Sequence, residues 1–355
     1  LLVSDGLVGA IFDRTVLKKS SYELFRKNNI CGYISTCADT GDGVLDANVT
    51  TSTLILSKYP SNKVGTFFDV LEEMPSSKGN LLLTLCFSLN KPETYFKESS
   101  KFVSLPNSII GYYFDNQILR LFENKSVEKR GLVARQGHAF ISAWNFRLFY
   151  EQDLCCDEHL IYNGGGYSLF YSTNRDCTIW RNEGRAIKAH KSFRNSSGDF
   201  QLTKGVGFGK RGEIVDAHIL KPNSFFTVEG MAFPKLSNKD AISTLSYINS
   251  ILSQYSINLY TDQHKQAGNM NLLPMPDFVK KQNEIEIIIN DIINIKRHWF
   301  SLDETNLEYH SLIEQLDIKD SIDSTLDTLQ QQLSNDYSRY QELVKANDDL
   351  WMDLA

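Results

Sequence analysis

Ile285, Ile288, Ile289, Ile292 and Ile295 recur at intervals of three and four residues through NEIEIIINDIINIKRHW. That spacing puts all five on one stripe of a helix, and so apolar a stripe must be covered, first of all by the chain's own core. SIDSTLDTLQQQLSNDYSRYQELVKANDDLW repeats the pattern with Ile322, Leu326, Leu329, Leu333, Tyr337, Tyr340 and Val344. Neither rhythm extends upstream. NKDAISTLSYINSILSQYSI has apolar residues at helical spacing, with Asn238 available as an N-cap, and Pro274 and Pro276 close that unit. From about Val133 to Pro234, short strands alternate with Gly, Asn and Asp clusters, the mark of an irregular β-rich region. The segment to about Pro75 reads as strand, helix and strands, with VTTSTLILSK a β-branched run expected to be buried on both faces. No single period fits the chain, so the expected fold class is α+β and multidomain.

The length of 355 residues is ample for more than one core. No run of about 18 apolar residues exists, so no membrane span or membrane partner is expected. The start, LLVSDGLVGAIFDR, has neither a basic region nor a cleavage site of the signal-peptide kind. It opens directly into a strand-like run, and the expectation is a cytoplasmic chain that begins inside a domain. Six cysteines stand at 31, 37, 86, 155, 156 and 177 with no C-x-x-C pair, and the histidines form no H-E-x-x-H. Reduced thiols in or near cores, and no metal, are the expectation.

Charge is unevenly placed within a net charge of −6. From Arg175 to Lys221 ten Lys/Arg face five Asp/Glu, a local +5; from Glu284 onward sixteen Asp/Glu face five Lys/Arg, a local −11. A basic middle beside an acidic tail suits one anion-facing surface and a solvated helical region. KGVGFGKRGE is the one glycine-rich run that suggests phosphate chemistry. It fails the P-loop template, because Lys210 is followed by Arg211 and no glycine stands five residues before Gly209; it also fails G-x-G-x-x-G. No G-x-S-x-G and no paired-carboxylate motif is present, so no catalytic residue is expected.

YNGGGYSLFYSTNRDCTIWRNEGRAIK remains as a recognition surface. Its three glycines allow a tight turn or a close approach to a partner. Tyr167, Phe170, Tyr171 and Trp180 offer flat faces, and Arg175, Arg181, Arg185 and Lys188 offer cations for phosphates and guanine edges. A glycine turn with a hairpin whose aromatics are core reads the same residues equally well.

The order of the motifs resembles the target-recognition region of adenine-N6 DNA methyltransferases of the BREX phage-defence (PglX) family and related type IIG restriction-modification enzymes. ARQGHAFISAWNFRLFYEQ resembles its opening, with Gly137, Asn145 and Arg147 in place. Trp180, Asn182, Gly184, Ile187 and Lys188 match a W-x-N-x-G-x-x-I-K ending. KGVGFGKRGE is similar to a following G-I-T-W strand, with Val206, Gly207 and Phe208 substituted. LSYINSILSQYSINLY and GNMNLLPMPDF are similar to the closing helix and proline exit. DGLVGAIFDRTVLKKSSYELFRKNNI and VLDANVTTSTLILSK resemble the sheet elements that follow the catalytic motif. IKRHWFSLDETNLEYHSL retains Trp299, Ser301, Glu304 and Thr305 of a C-terminal element.

The resemblance implies the end of a Rossmann-like methyltransferase sheet over 1–75, a connecting region over 76–132, a DNA target-recognition domain over 133–278 and a helical region over 279–355. It implies double-stranded DNA as partner, with other phage-defence subunits or a phage DNA-mimic inhibitor beside it, and S-adenosylmethionine as cofactor of the parent enzyme. The Asn-Pro-Pro loop is missing and Asn163 replaces the usual lysine before the glycine turn. The chain is therefore expected to be a fragment or split subunit that holds no cofactor and reads DNA without methylating it alone. The DNA-facing residues implied are Asn145, Arg147, Gly165, Tyr167, Arg181, Asn182, Arg185, Lys188, Lys204, Lys210 and Arg211. The other readings are a non-enzymatic specificity subunit that partners a separate methyltransferase, and a helical and β protein-interaction scaffold.

Overall fold

A computed structural model describes residues 3, 6–139, 145–146, 159–165, 168–173, 176–261, 263–306, 308–311, 315 and 321–355, with the backbone alone at 145, 146 and 159. The chain is α+β and divides into two compact units, Leu1–Glu123 and Asn124–Ala355. No helix among the described residues is long and apolar enough to cross a membrane.

The first unit is built on a five-stranded sheet of order β1-β3-β2-β4-β5: β1 (Leu7–Asp13), β2 (Ile34–Gly41), β3 (Thr51–Ser57), β4 (Val64–Asp69) and β5 (Thr94–Glu98). Only β2 and β4 run parallel; the other pairs are antiparallel. Helices α1 (Glu23–Asn29), α2 (Lys78–Phe87) and α3 (Asn116–Leu121) accompany it. The VTTSTLILSK run is β3, flanked by β1 and β2, but it is not buried on both faces: Thr51, Ser52 and Leu54 are buried while Ile55, Leu56 and Ser57 are half-buried. Ala38, Phe68, Val70 and Leu85 form one core cluster, and Phe67 stacks on Tyr112 at 5.7 Å between centroids. Arg26 is fully buried, its guanidinium donating to the carbonyls of Val16, Asn107 and Ser108. Those bonds replace the water it loses.

The second unit holds two sheets. One has order β10-β9-β12, from β9 (Gly205–Gly209), β10 (His218–Leu220) and β12 (Gly230–Pro234). The other has order β11-β7-β8-β6, from β6 (Asn145–Phe146), β7 (His159–Asn163), β8 (Cys177–Ile179) and β11 (Ser224–Phe226). After α4 (Arg181–Ala189), helices α5 (Asn238–Ile248), α6 (Ile251–Tyr260), α7 (Ala267–Leu272), α8 (Gln282–Ser301) and α9 (Ile322–Leu354) follow. The expected single helix after Pro234 is two: Ser237, not Asn238, caps α5, and Ser250 starts α6 by accepting from the Ser253 N–H. On α8, Ile285, Ile288, Ile289 and Ile292 are buried as the stripe requires, with Ile293 in the fifth place instead of Ile295. α9 departs further. Ile322, Leu326 and Tyr337 are exposed, and its core contacts come from Leu343, Leu350 and Trp351 near the C-terminal end.

Of the cysteines, Cys31, Cys37 and Cys177 are buried free thiols, Cys86 is exposed, and Cys155 and Cys156 lie outside the described residues. Burial pushes the Cys31 thiol up to about 12, so it stays an unreactive thiol at neutral pH.

Candidate nucleic-acid interface

Within the glycine run, Gly165 is packed against protein. Gly165 has φ +87°, and a Cβ there would stand 2.7 Å from the Glu229 carbonyl oxygen and 3.1 Å from the Gly209 Cα. The turn thus presses the end of β7 onto β9 and the start of β12. Asn163, just before it, is fully buried beside His218, with its amide 3.2 Å from Nε2; the other ring nitrogen lies 2.9 Å from the Asp216 carbonyl. Burial holds His218 below its ordinary value. The atom facing Nε2 is the Asn163 Oδ1, so both ring nitrogens face acceptor oxygens, and a neutral ring donates to only one of them. A lysine at 163 would bring an unpaired charge into this place.

The aromatics of the same segment are core. Phe170 is 0% and Tyr171 1% exposed. Trp180 lies half-buried against Phe225 at 4.8 Å, and Phe225 against His138 at 4.9 Å, so a run of rings underlies the basic segment. Burial holds the His138 imidazole below its ordinary value, and its Nδ1 accepts from the Ser196 N–H at 3.1 Å.

The basic residues that follow are helical, not part of a β surface. α4 opens on an unusual turn: Asn182, Glu183 and Gly184 all take left-handed backbone, φ 50°, 56° and 71°. Such conformations cost an L-residue roughly 1–2 kcal/mol each. Glycine relieves the third position, where a Cβ would stand 2.5 Å from the Trp180 ring. Trp180 is held in turn by Phe225 below and by the Lys188 ammonium 5.2 Å from its ring. On this support, Ile187 and Gly184 face inward, while Arg181, Asn182, Arg185, Lys188, Lys191 and Arg194 are exposed. Between 181 and 194 there are five Lys/Arg and one acid, Glu183, a local +4. Lys191 and Arg194 complete the face; the sequence count included them, but no motif singled them out.

The remaining expected residues are dispersed. The backbone register sets Asn145 opposite Thr178, three residues before Arg181. Lys210 and Arg211 leave the end of β9 and both pair with Glu229, at 3.2 Å and 2.9 Å. Burial pushes the Glu229 carboxyl up, but its bonds to Lys210 and Arg211 outweigh that and hold it below the ordinary value. Lys204 donates to the Asn238 side chain at 2.8 Å, at the start of α5. Arg147, Tyr167 and Arg175 lie outside the described residues.

The first unit holds a second polar cluster that no motif singled out. Asp39 and Asp69 end the parallel strands β2 and β4 in register. Arg14 grips Asp39 in bidentate fashion at 2.7 Å and 3.0 Å, and the Tyr112 hydroxyl lies 3.0 Å from Asp39 and 3.1 Å from Asp69. The available signal was that ISTCAD and VGTFFD each end an apolar run on aspartate. No group of three or more His, Cys, Asp or Glu suited to a metal is found among the described residues.

No family model matches the sequence, and comparison with curated proteins finds no match. Comparison with solved structures does. The type IIL restriction-modification enzyme MmeI, solved in complex with DNA, superposes at TM-score 0.50 and 9% identity, over 99% of this chain and 47% of that one. The fold is shared with MmeI. The type IIG restriction endonuclease BpuSI matches at TM-score 0.32 and 11% identity over 99% of this chain and 48% of its own. The ATP-dependent type ISP restriction-modification enzyme LlaBIII, bound to DNA, matches at 0.42 and 10% over 82% and 25%. The chain spans about half or less of each.

Proposed function

We propose that this chain is the DNA-recognising part of an S-adenosylmethionine-dependent, adenine-N6 DNA methyltransferase of restriction-modification type, of the BREX kind in phage defence. The observation that carries the reading is the α4 face, where five exposed cations and Asn182 stand on a strained turn braced by Trp180. Two further supports are the fold shared with a DNA-bound restriction-modification enzyme and the ordered motifs of the sequence. Lys188, Lys191 and Arg194 would neutralise phosphates and set the register. Arg181 and Arg185 suit guanine edges and Asn182 suits adenine, each bidentate contact discriminating by roughly 1–3 kcal/mol. Base flipping and methyl transfer need the Asn-Pro-Pro loop that this sequence lacks, so no step of that chemistry is assigned to its residues. The 133–278 boundary of the recognition domain is part of the proposal.

Selection of bound duplexes from a random library, at low and near-physiological salt, tests it. Enrichment of one adenine-containing site that survives the higher salt is expected, relaxed by Arg181→Ala or Arg185→Ala. Binding that is flat in sequence and vanishes with salt would remove the reading.

A further inference from the structure

A cavity of about 900 Å³ in the second unit lies between α8 on one side and β9, β10 and the start of α5 on the other. Its α8 wall runs from Asn283 to Arg297, a length of roughly 20 Å along the helix. Its floor is apolar, from Ile219, Leu220, Pro222 and Ile242. The two ends differ in charge. At one, Lys221 and Arg297 lie 5.5 Å and 5.2 Å from the Tyr171 ring and share one carboxylate, Glu308, at 2.7 Å and 3.7 Å. At the other, Lys204 and Lys239 stand by the first turn of α5, an 11-residue helix, and Lys204 donates to the Asn238 side chain. Neither is paired with a carboxylate among the described residues, and Glu286 of α8 also lines the cavity. The Asn238 and Lys239 N–H groups there are helix-start donors with no partner inside the helix.

A second observation points to a ligand. The Tyr171 hydroxyl belongs to a side chain 1% exposed that lines the cavity, and it faces Glu308 and Arg297 without closing a hydrogen bond of normal geometry to either. Glu308 Oε2 has no such bond either, with the Arg297 guanidinium standing 3.7 Å from it. Buried polar atoms left open at the edge of a cavity are stabilised by a polar guest.

We propose that this cavity binds a phosphorylated small molecule of nucleotide size, with its phosphate at the Lys204–Lys239 end and its ring on the apolar floor toward Tyr171. The volume lies in the range of small-molecule sites. The two exposed lysines and the helix start supply the anion end. The Tyr171 hydroxyl suits a polar atom on the rim of a base. The concave shape admits a single nucleotide where a duplex would show only its outer phosphates. The inference stands without the DNA reading.

The test is isothermal titration of the whole chain with the common ribonucleoside monophosphates, with their nucleosides and with inorganic phosphate. At least one monophosphate is expected to bind below about 1 mM, with its nucleoside and free phosphate each roughly tenfold weaker. Lys239→Ala should weaken binding roughly tenfold, as loss of a charge-assisted contact does. Ile242→Trp should block the floor and abolish binding, with thermal melts checking that each variant is folded. The proposal is overturned if no monophosphate binds at about 1 mM, if phosphate alone binds as well, or if folded Ile242→Trp binds like the parent. It also fails if a DNA duplex displaces the nucleotide, which would make the cavity part of a nucleic-acid path.

Discussion

Lys296 carries its ammonium into the packing between α8 and α9, 6% exposed, with no carboxylate beside it among the described residues. Its Nζ donates to the Ser168 hydroxyl and lies 5.9 Å from the Phe300 ring and 5.7 Å from that of Tyr340. Burial pushes it down to about 8 from 10.5. Below pH 8 the folded and unfolded chains both hold the proton, and folding bears the full cost of burying the charge. Between about pH 8 and 10.5 the folded chain gives up the proton while the unfolded chain keeps it. Stability therefore rises with pH across that window, by roughly 3 kcal/mol from this residue. Lys296→Met should remove the rise and stabilise the fold at neutral pH by roughly 1–3 kcal/mol. Denaturant melts of parent and variant from pH 7 to 10.5 decide it: parallel curves would show that the buried charge is compensated.

At the scale of elements, the joint between α5 and α9 rests on a small buried network. Ser246 Oγ accepts from Trp351 Nε1 at 2.7 Å and donates to Asn347 Oδ1 at 2.5 Å, while Asn347 Nδ2 donates to the Ser246 carbonyl at 3.1 Å. Ser246→Ala leaves the indole N–H without its acceptor and Asn347 short of a donor. A loss of roughly 2–4 kcal/mol is expected, at about 1–3 per orphaned group. Urea melts measure it; a loss under about 0.5 kcal/mol would place water or another partner there. The sequence could show the helices but not this joint. The α8 stripe was legible because its isoleucines are covered along most of their length. The α9 stripe misled over Ile322 and Leu326, because period reports which residues share a face and not whether that face is covered. The break between α5 and α6 was hidden by an apolar rhythm running unbroken from Ile242 to Leu252. Likewise no sequence pattern marks Trp180–Lys188 as helical, and only the space over the Trp180 ring explains why the third left-handed residue of its opening turn is Gly184.

At the scale of the molecule, the positive face and the negative tail were visible as counts, but which cations are exposed together was not. Lys210 and Arg211 share Glu229 and Lys204 bonds Asn238, and the 181–194 segment gathers five exposed Lys/Arg with one acid among them. A chain of net charge −6 gains nothing from DNA at long range, so the proposed binding would come from short-range phosphate contacts at that one face. If Lys188, Lys191 and Arg194 each neutralise one phosphate, the plot of log K against log salt has a slope of about −2.7. The Lys188→Ala, Lys191→Ala double variant should then flatten it by about 1.8 while leaving the preferred site unchanged, because those two residues are assigned to phosphates and not to bases. Anisotropy titrations over a range of salt measure both. A slope unaltered by the double variant would place the phosphate contacts elsewhere on the chain, and a changed site preference would move Lys188 or Lys191 from positioning to reading.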